Sequence, residues 1–539
     1  MQPIWGIVKR RKGLYGGAMG HDLPILPHHL SIGGVPFVLL DDARSDGAKD
    51  ARLYYAPSEV VVARRPDEVA AALARMDILS RRGLHLAGHI AYEAGLAMEP
   101  RVAGLVDARC GADGPLIWMG AFAGYAVIAS ADIPSWLDRQ LDDGMRSWIG
   151  PLEPALSIGA YHAAFSAVHE AILAGDIYQA NLTFPLVGRW AGDPLAIYAR
   201  LRRAAGGGYG GVVYDGATWL LSLSPELFFT LSKGRVTARP MKGTRARGQD
   251  AASDAAHLAE LVDSAKDRAE NLMIVDLMRN DLARVAAAGS VRVDAPFAVE
   301  TYPTVHQMVT TVRADLLPQY GAKALLSALF PCGSITGAPK IRAMEILAEV
   351  ERDPRGAYCG AIGRIDPEKD GEAAFNVAIR TLRLTGIENG DRVPSGQAVM
   401  GVGSAITADS QAIAEWRECV VKGGFVRDSG GDTDRAAAQF DLIETMAFAP
   451  DSGVLLLELH LARLTASAAE LGFSWDRHAV RNAIQALCFA ADAPAKLRLV
   501  LARSGAYTLE MAEMPPVLVG PARCIVLPLP VDDGDWRLR

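Results

Sequence analysis

The chain has 539 residues, half of them hydrophobic and 22% charged, which excludes a disordered protein and allows about three compact units. Fifty-five Lys and Arg against 62 Asp and Glu give a net charge of −7, so no global basic field exists to hold nucleic acid or anionic lipid. Six scattered cysteines (Cys110, Cys332, Cys359, Cys419, Cys488, Cys524) form no CxxC pair. Such usage predicts reduced thiols, a cytoplasmic location and no zinc site.

In chain order, residues 1–35 read as an N-terminal extension: Lys9, Arg10, Arg11 and Lys12 precede glycines, with no apolar signal core behind them. Residues 36–150 open a first part of the main body, with a strand over 36–40 ended by Asp41 and Asp42 and a helix over 67–79. The uncharged stretch 114–131 has the length of a membrane span. Its Gly120, Gly124, aromatic and β-branched residues predict two buried strands instead. Residues 151–424 alternate helices (163–173, 254–284) with strands (218–223, 227–231, 235–238); a Rossmann glycine motif and a P-loop are both missing. Residues 425–439, with RDSGGDTDRAAA, read as a hydrophilic linker. A second domain over 440–539 places Leu459, Leu461, Leu464 and Leu471 at helical spacing, before a strand over 497–502.

Four groups of residues carry chemistry. In Arg239-Pro240-Met241-Lys242-Gly243-Thr244-Arg245, Pro240 and Gly243 set Lys242 on a turn after a strand. The lysine there is either exposed in a hairpin or desolvated in a cleft, where its pKa falls and its lone pair is free to attack. Glu226, just before a strand, is either a solvated carboxylate or a buried acid that delivers a proton. Asp263, Asp267 and Glu270 share one face of the helix expected at 254–284, while Glu415 and Glu418 stand at i and i+3 on another, with Lys422 beyond. Facing each other, such helices make an oxygen site for Mg²⁺; apart, they are solvated faces. Finally, Ser334-Ile335-Thr336-Gly337-Ala338-Pro339-Lys340 precedes a helix, and Gly401-Val402-Gly403-Ser404 reads as a turn; both offer backbone N–H groups to an anion.

Six segments appear in a fixed order: GDIYQANLT (175–183), LSPELF (223–228), RPMKGT (239–244), AENLMIVDLMRNDLARV (269–285), SITGAPK (334–340) and GVGSAITADS with EWREC (401–419). Together they resemble the chorismate-utilising family that includes the large subunits of anthranilate and aminodeoxychorismate synthases, over about residues 36–424. The resemblance implies an α+β fold: two large antiparallel sheets in a sandwich, helices outside and chorismate in the cleft. Lysine in RPMKGT is similar to the aminodeoxychorismate-forming branch of 4-aminobenzoate and folate biosynthesis, where anthranilate synthases carry alanine. Anthranilate synthesis and a catalytically silent chorismate-binding subunit are the rival readings. By the same resemblance Lys242 is the nucleophile and Glu226 the acid. Glu270 and Glu418 hold Mg²⁺ with Glu415 close by, and His306, Thr336, Tyr358, Arg380, Gly401 and Gly403 bind substrate. Gln179 stands near the position where isochorismate synthases carry a water-activating lysine, and an amide cannot act as that base. Ammonia is expected from a separate glutamine amidotransferase subunit, because none of the cysteines sits in a G-x-C-x-G elbow.

Residues 440–539, with LIETM at 442–446 and HLARL at 460–464, resemble the first part of fold-type IV pyridoxal-phosphate (PLP) enzymes, nearest to aminodeoxychorismate lyase. This implies a partial α/β segment in which Arg463 holds the cofactor phosphate. The Schiff-base lysine of that family has no match in the sequence, since Lys496 lies in a different strand. The segment is therefore expected to be a truncated, inactive lyase.

Overall fold

The computed structural model describes residues 34–45, 47–106, 114–141, 147–248, 250–302, 305–367, 371–386, 394–428, 441–471, 473–489, 491–502 and 504–514. Nearly all of the expected N-terminal extension, most of the expected linker, Cys110, Cys524 and the last residues of the expected second domain lie outside them. The chain divides into two units, Met1–Gly431 and Asp432–Arg539.

Among the described residues the larger unit holds two antiparallel sheets of eleven and ten strands. The first runs in the order Gly337–Ala338, Gln179–Ala191, Ser395–Ile406, Thr381–Gly386, Thr218–Ser222, Gly210–Tyr214, Phe37–Asp41, Ala51–Tyr55 and Ala126–Ile128. Trp148–Ile149 and Glu153–Pro154 pair along Gln179–Ala191. The second runs Met241–Ala246, Val305–Asp315, Arg235–Arg239, Leu227–Ser232, Glu372–Asn376, Ala361–Ile365, His85–Ile90, Ile117–Phe122 and Glu59–Ala63, with Arg292–Thr301 beside Val305–Asp315.

Alternation along the strands sets the layers. In Gln179–Ala191, Leu182, Phe184 and Leu186 enter a core shared with residues of helices Ile158–Leu173, Pro194–Ala205 and Lys340–Val350. That leaves Gln179, Asn181 and Thr183 on the opposite face. Between the sheets, Val38, Tyr54, Val213 and Leu220 of the first meet Ala87, Trp118, Phe122 and Ile362 of the second. Helices Val69–Arg81, Ala265–Ala283 and Ala322–Leu329 cover the second sheet's other face. Adjacent Phe228 and Phe229 both enter that core because strand pairing shifts register between Leu227 and Thr230. Each buried ring contributes about 1.5–3 kcal/mol. The result is the expected sandwich with outer helices.

The stretch at 114–131 forms the buried strand Ile117–Phe122 and the short strand Ala126–Ile128, in different sheets. Among the described residues no helix is long and apolar enough to cross a membrane.

Three local expectations are corrected. Residues 254–284 form two helices, Ala251–Asp263 and Ala265–Ala283. Ser264 leaves the helical conformation and its hydroxyl caps the second helix by accepting Asp267 N–H at 3.2 Å, so Asp263 does not continue the face of Asp267 and Glu270. Lys242 lies on a strand, not a turn; the glycine expected to make the turn makes an irregularity between Met241 and Thr244 instead. Gly401 and Gly403 likewise sit inside Ser395–Ile406, opposite Pro185 and Thr183.

The smaller unit has a four-stranded antiparallel sheet in the order Gly453–Val454, Leu442–Ala449, Ala495–Leu501 and Tyr507–Glu513. Its helices Leu457–Leu471 and Arg477–Phe489 bring Leu461, Leu464, Val480 and Ile484 onto Met446, Leu497 and Leu499. Leu459, noted with Leu461 and Leu464 at helical spacing, is exposed.

Candidate active site

Glu226 ends the turn that leads into Leu227–Ser232. Ser224 Oγ donates to the Val377 carbonyl at 2.6 Å, and Val377 N–H donates to the Glu226 carbonyl at 3.1 Å. The Glu226 side chain is 4% exposed and accepts the Ser334 hydroxyl at 2.7 Å. Burial raises its pKa from 4.5 to about 7, against the opposing pull of Ser334, the Lys242 charge and Met241 N–H.

Lys242 stands on the edge strand Met241–Ala246, next to helix Ala265–Ala283. Gly243 makes that approach possible: its φ is +85°, and a Cβ there would lie 2.9 Å from Asp267 Cβ. Burial lowers the Lys242 pKa, and the Lys422 charge acts in the same direction; Glu270, Glu226 and Glu418 oppose both. One amine therefore sits within electrostatic reach of the acid from one strand and of carboxylates from two helices.

Glu270 is partly buried, and burial raises its pKa, with Asp267 and Glu415 adding like-charge repulsion. Glu415 accepts the Ser410 hydroxyl at 2.8 Å. Glu418 is more exposed and is engaged by Lys422 at 2.7 Å, while Lys422 Nζ also donates to the Gly403 carbonyl at 2.9 Å. Among the described residues no group of three His, Cys, Asp or Glu side chains is gathered as a metal cluster. The donor chemistry still fits Mg²⁺, which needs only one or two carboxylates and takes its other oxygens from water and substrate.

The expected substrate-binding residues differ in their surroundings. Arg380 adopts a strained φ of +49°, and among the described residues no carboxylate pairs with its guanidinium; burial alone lowers its pKa. Tyr358 lies against Gly401 so closely that a Cβ at Gly401 would sit 2.1 Å from the ring, and Gly403 is similarly crowded by Leu182 and Thr183. Thr336 is fully buried, its hydroxyl donating to the carbonyls of Cys332 and Gly333. His306 is 1% exposed with both ring nitrogens taken, Nε2 by Asp254 at 3.0 Å and Nδ1 by Thr301 at 2.9 Å. In this geometry both His306 nitrogens are engaged by protein side chains. Gln179 is 0% exposed, and neither amide atom has a partner. A cavity of about 40 Å³, enough for water-sized molecules, borders Thr183, Arg355, Tyr358 and Gly401.

Sequence reasoning missed the ion-pair network behind these residues. Arg355, paired with Glu351 at 2.7 Å and stacked over Tyr92, donates to the carbonyls of Ile335 and Asn181, each at 2.8 Å. Glu351 also accepts Thr183 N–H and Oγ1, and Glu93 accepts the N–H groups of Arg355 and Gly356. The i, i+4 spacing of Glu351 and Arg355 was the only available signal.

In the smaller unit Arg463 is 67% exposed and forms two hydrogen bonds to buried Glu444, which also holds His460 at 2.6 Å. The ion pair engages Nε and Nη2 of the guanidinium that the resemblance places at a PLP phosphate.

Residues 37–428 match the family described as chorismate binding enzyme, and residues 441–526 match amino-transferase class IV. Aminodeoxychorismate synthase component 1 of Escherichia coli (strain K12) is 43% identical over 258 residues, 48% of this chain and 54% of that protein. Aminodeoxychorismate synthase of Streptomyces griseus is 41% identical over 274 residues, 51% of this chain and 36% of that protein. The matched part of this chain thus spans about half the length of the first relative and about a third of the second. Among solved structures, anthranilate synthase component I from Streptococcus pneumoniae TIGR4 superimposes with a TM-score of 0.58 at 23% identity, covering 71% of this chain and 93% of that one. The isochorismate synthase MenF from Escherichia coli gives 0.56 at 15%, covering 76% and 91%. These structural likenesses establish the fold alone, but the match across residues 37–428 assigns the chain to the family of chorismate binding enzymes.

Proposed function

We propose that the larger unit converts chorismate and ammonia to 4-amino-4-deoxychorismate. The observation that carries this reading is one amine and one acid in the same site: Lys242, whose charged form burial disfavours, and Glu226, which holds its proton up to about pH 7. A neutral amine is nucleophilic, and a protonated carboxyl turns a poor leaving group into water. Lys242 attacks C2 of the ring, the two ring double bonds shift, and the C4–O bond breaks as Glu226 gives its proton to the departing hydroxyl. Ammonia then attacks C4, the double bonds shift back and the C2–N bond to Lys242 breaks. The bound Lys242 nitrogen keeps both of its protons and so leaves as the neutral amine, and the new ammonium group at C4 returns one proton to the Glu226 carboxylate. Two such displacements put nitrogen at C4.

Arg380 is suited to a substrate carboxylate, because it is a cation without a carboxylate partner among the described residues, held in a fixed, strained conformation. Tyr358 packed on Gly401, together with Gly403 and Thr336, shapes the adjoining wall. His306 acts behind that wall, tying Asp254 to Thr301. Glu270 with Glu415, and Glu418 when it leaves Lys422, would hold Mg²⁺, which supplies positive charge to a ring carboxylate. Ammonia comes from glutamine hydrolysis on a separate subunit, a reading supported by the "component 1" name of the relatives. The wider assignment is a cytoplasmic enzyme of 4-aminobenzoate and folate synthesis.

The test is purified protein with chorismate, Mg²⁺ and ammonium at mildly alkaline pH, products separated by chromatography. 4-Amino-4-deoxychorismate is expected; anthranilate or isochorismate as sole product overturns the assignment.

A further inference from the structure

The turn at 333–338 carries a hydroxyl to which the reaction outlined above gives no role. Ser334 is 4% exposed, and its Oγ reaches Glu226 Oε1 at 2.7 Å; among the described residues it is the one side-chain hydroxyl bonded to that carboxyl. The turn bearing it is held from behind. Arg355 Nη1 donates to the Ile335 carbonyl, the next residue along, and Nη2 to the Asn181 carbonyl. Asn181 N–H in turn donates to the Thr336 carbonyl at 2.8 Å. Arg355 is itself fixed by two bonds to Glu351, at 2.9 and 2.7 Å, and by the face of Tyr92. A buried ion pair of this kind contributes little net stability, whereas the geometry it imposes is specific.

We propose that Ser334 is a positioning residue for Glu226, and that Arg355 holds it there through the Ile335 carbonyl. The hydroxyl donates to Oε1, so it stabilises the ionised carboxylate and directs the carboxyl proton to the other oxygen, Oε2, where a leaving hydroxyl can meet it. The other charged or titratable groups facing Glu226 are Lys242, from strand Met241–Ala246, and the Cys332 thiol, pushed up to about 12 by burial. Lys242 shares the lowering effect with Ser334, and the thiol stays neutral. Removing the hydroxyl alone should therefore raise the proton affinity of Glu226 about tenfold, one pH unit.

This inference rests on the reading of Glu226 as the acid, but its test does not need turnover. The Glu226 carboxyl is followed by infrared difference titration of the ligand-free full chain, identified as the band lost in Glu226→Gln. Ser334→Ala should move the midpoint up by about one pH unit without changing the unfolding temperature in proportion. Arg355→Lys keeps a charge for Glu351 but cannot reach both carbonyls, and should move the midpoint in the same direction by less. An unmoved midpoint in folded Ser334→Ala overturns the proposal; an unmoved midpoint in folded Arg355→Lys overturns the part assigned to Arg355. A normal midpoint shift in a protein that makes no 4-amino-4-deoxychorismate refutes the proposed function and leaves the positioning role standing.

Discussion

Replacing Glu226 by Gln is predicted to lower turnover and raise stability in a pH-dependent way. Glutamine has the same shape and still accepts the Ser334 hydroxyl through Oε1, so the packing is kept and only the proton is lost. Removing a general acid costs about 10²- to 10⁴-fold in rate. The stability effect follows from the pKa difference between states, from 4.5 unfolded to about 7 folded, which corresponds to roughly 3 kcal/mol. Because the folded value is the higher one, the folded chain keeps a proton that the unfolded chain releases. Stability from this group is thus present below pH 4.5 and lost as pH rises through about 7. Between about pH 5.5 and about pH 8 the wild type should lose about 2 kcal/mol that Glu226→Gln does not lose. Urea titrations of both proteins at the two pH values measure it. The same substitution should abolish an alkaline limb near pH 7 in kcat/KM for chorismate, read at a constant concentration of un-ionised ammonia. Parallel stability curves together with an unchanged rate profile would refute the reasoning.

Lys242→Ala should abolish 4-amino-4-deoxychorismate formation while chorismate binding, followed by calorimetry, survives within about tenfold. Arg380→Leu should raise KM for chorismate by roughly tenfold to a hundredfold, since a charge-assisted hydrogen bond contributes about 1.5–3 kcal/mol. Gly401→Ala drives a methyl into the Tyr358 ring and should lower both activity and stability, the latter by about 1–3 kcal/mol in chemical denaturation. Glu351→Gln leaves the Arg355 guanidinium buried without its counter-charge and should cost about 3–5 kcal/mol by the same assay.

The sandwich was legible through the resemblance that the ordered motif segments carry, since the family they point to has two large antiparallel sheets. The strand Gln179–Ala191 was not among the expected elements, although Leu182, Phe184 and Leu186 mark its covered face and Gln179, Asn181 and Thr183 the other. What was illegible depends on groups distant along the chain. Lys242 read as a turn residue because Pro240 and Gly243 are turn formers; the strand forms because Val305–Asp315 pairs with it. Ser264 was hidden among good helix formers, and only its cap to Asp267 reveals the break. The ion pair between Arg463 and Glu444, 19 residues earlier, was likewise invisible in the sequence. Arg355 looked like one charge among many, and its role comes from carbonyls of Asn181 and Ile335 that no spacing rule brings together.

The most direct measurement is rapid chemical quench of the protein with chorismate and Mg²⁺ in the absence of ammonia, followed by peptide mass spectrometry. The peptide containing Lys242 is predicted to gain the mass of chorismate less one water, on the lysine nitrogen, and to lose it when ammonia is added. An unmodified Lys242 peptide in a preparation that still makes 4-amino-4-deoxychorismate with ammonia would contradict the covalent route.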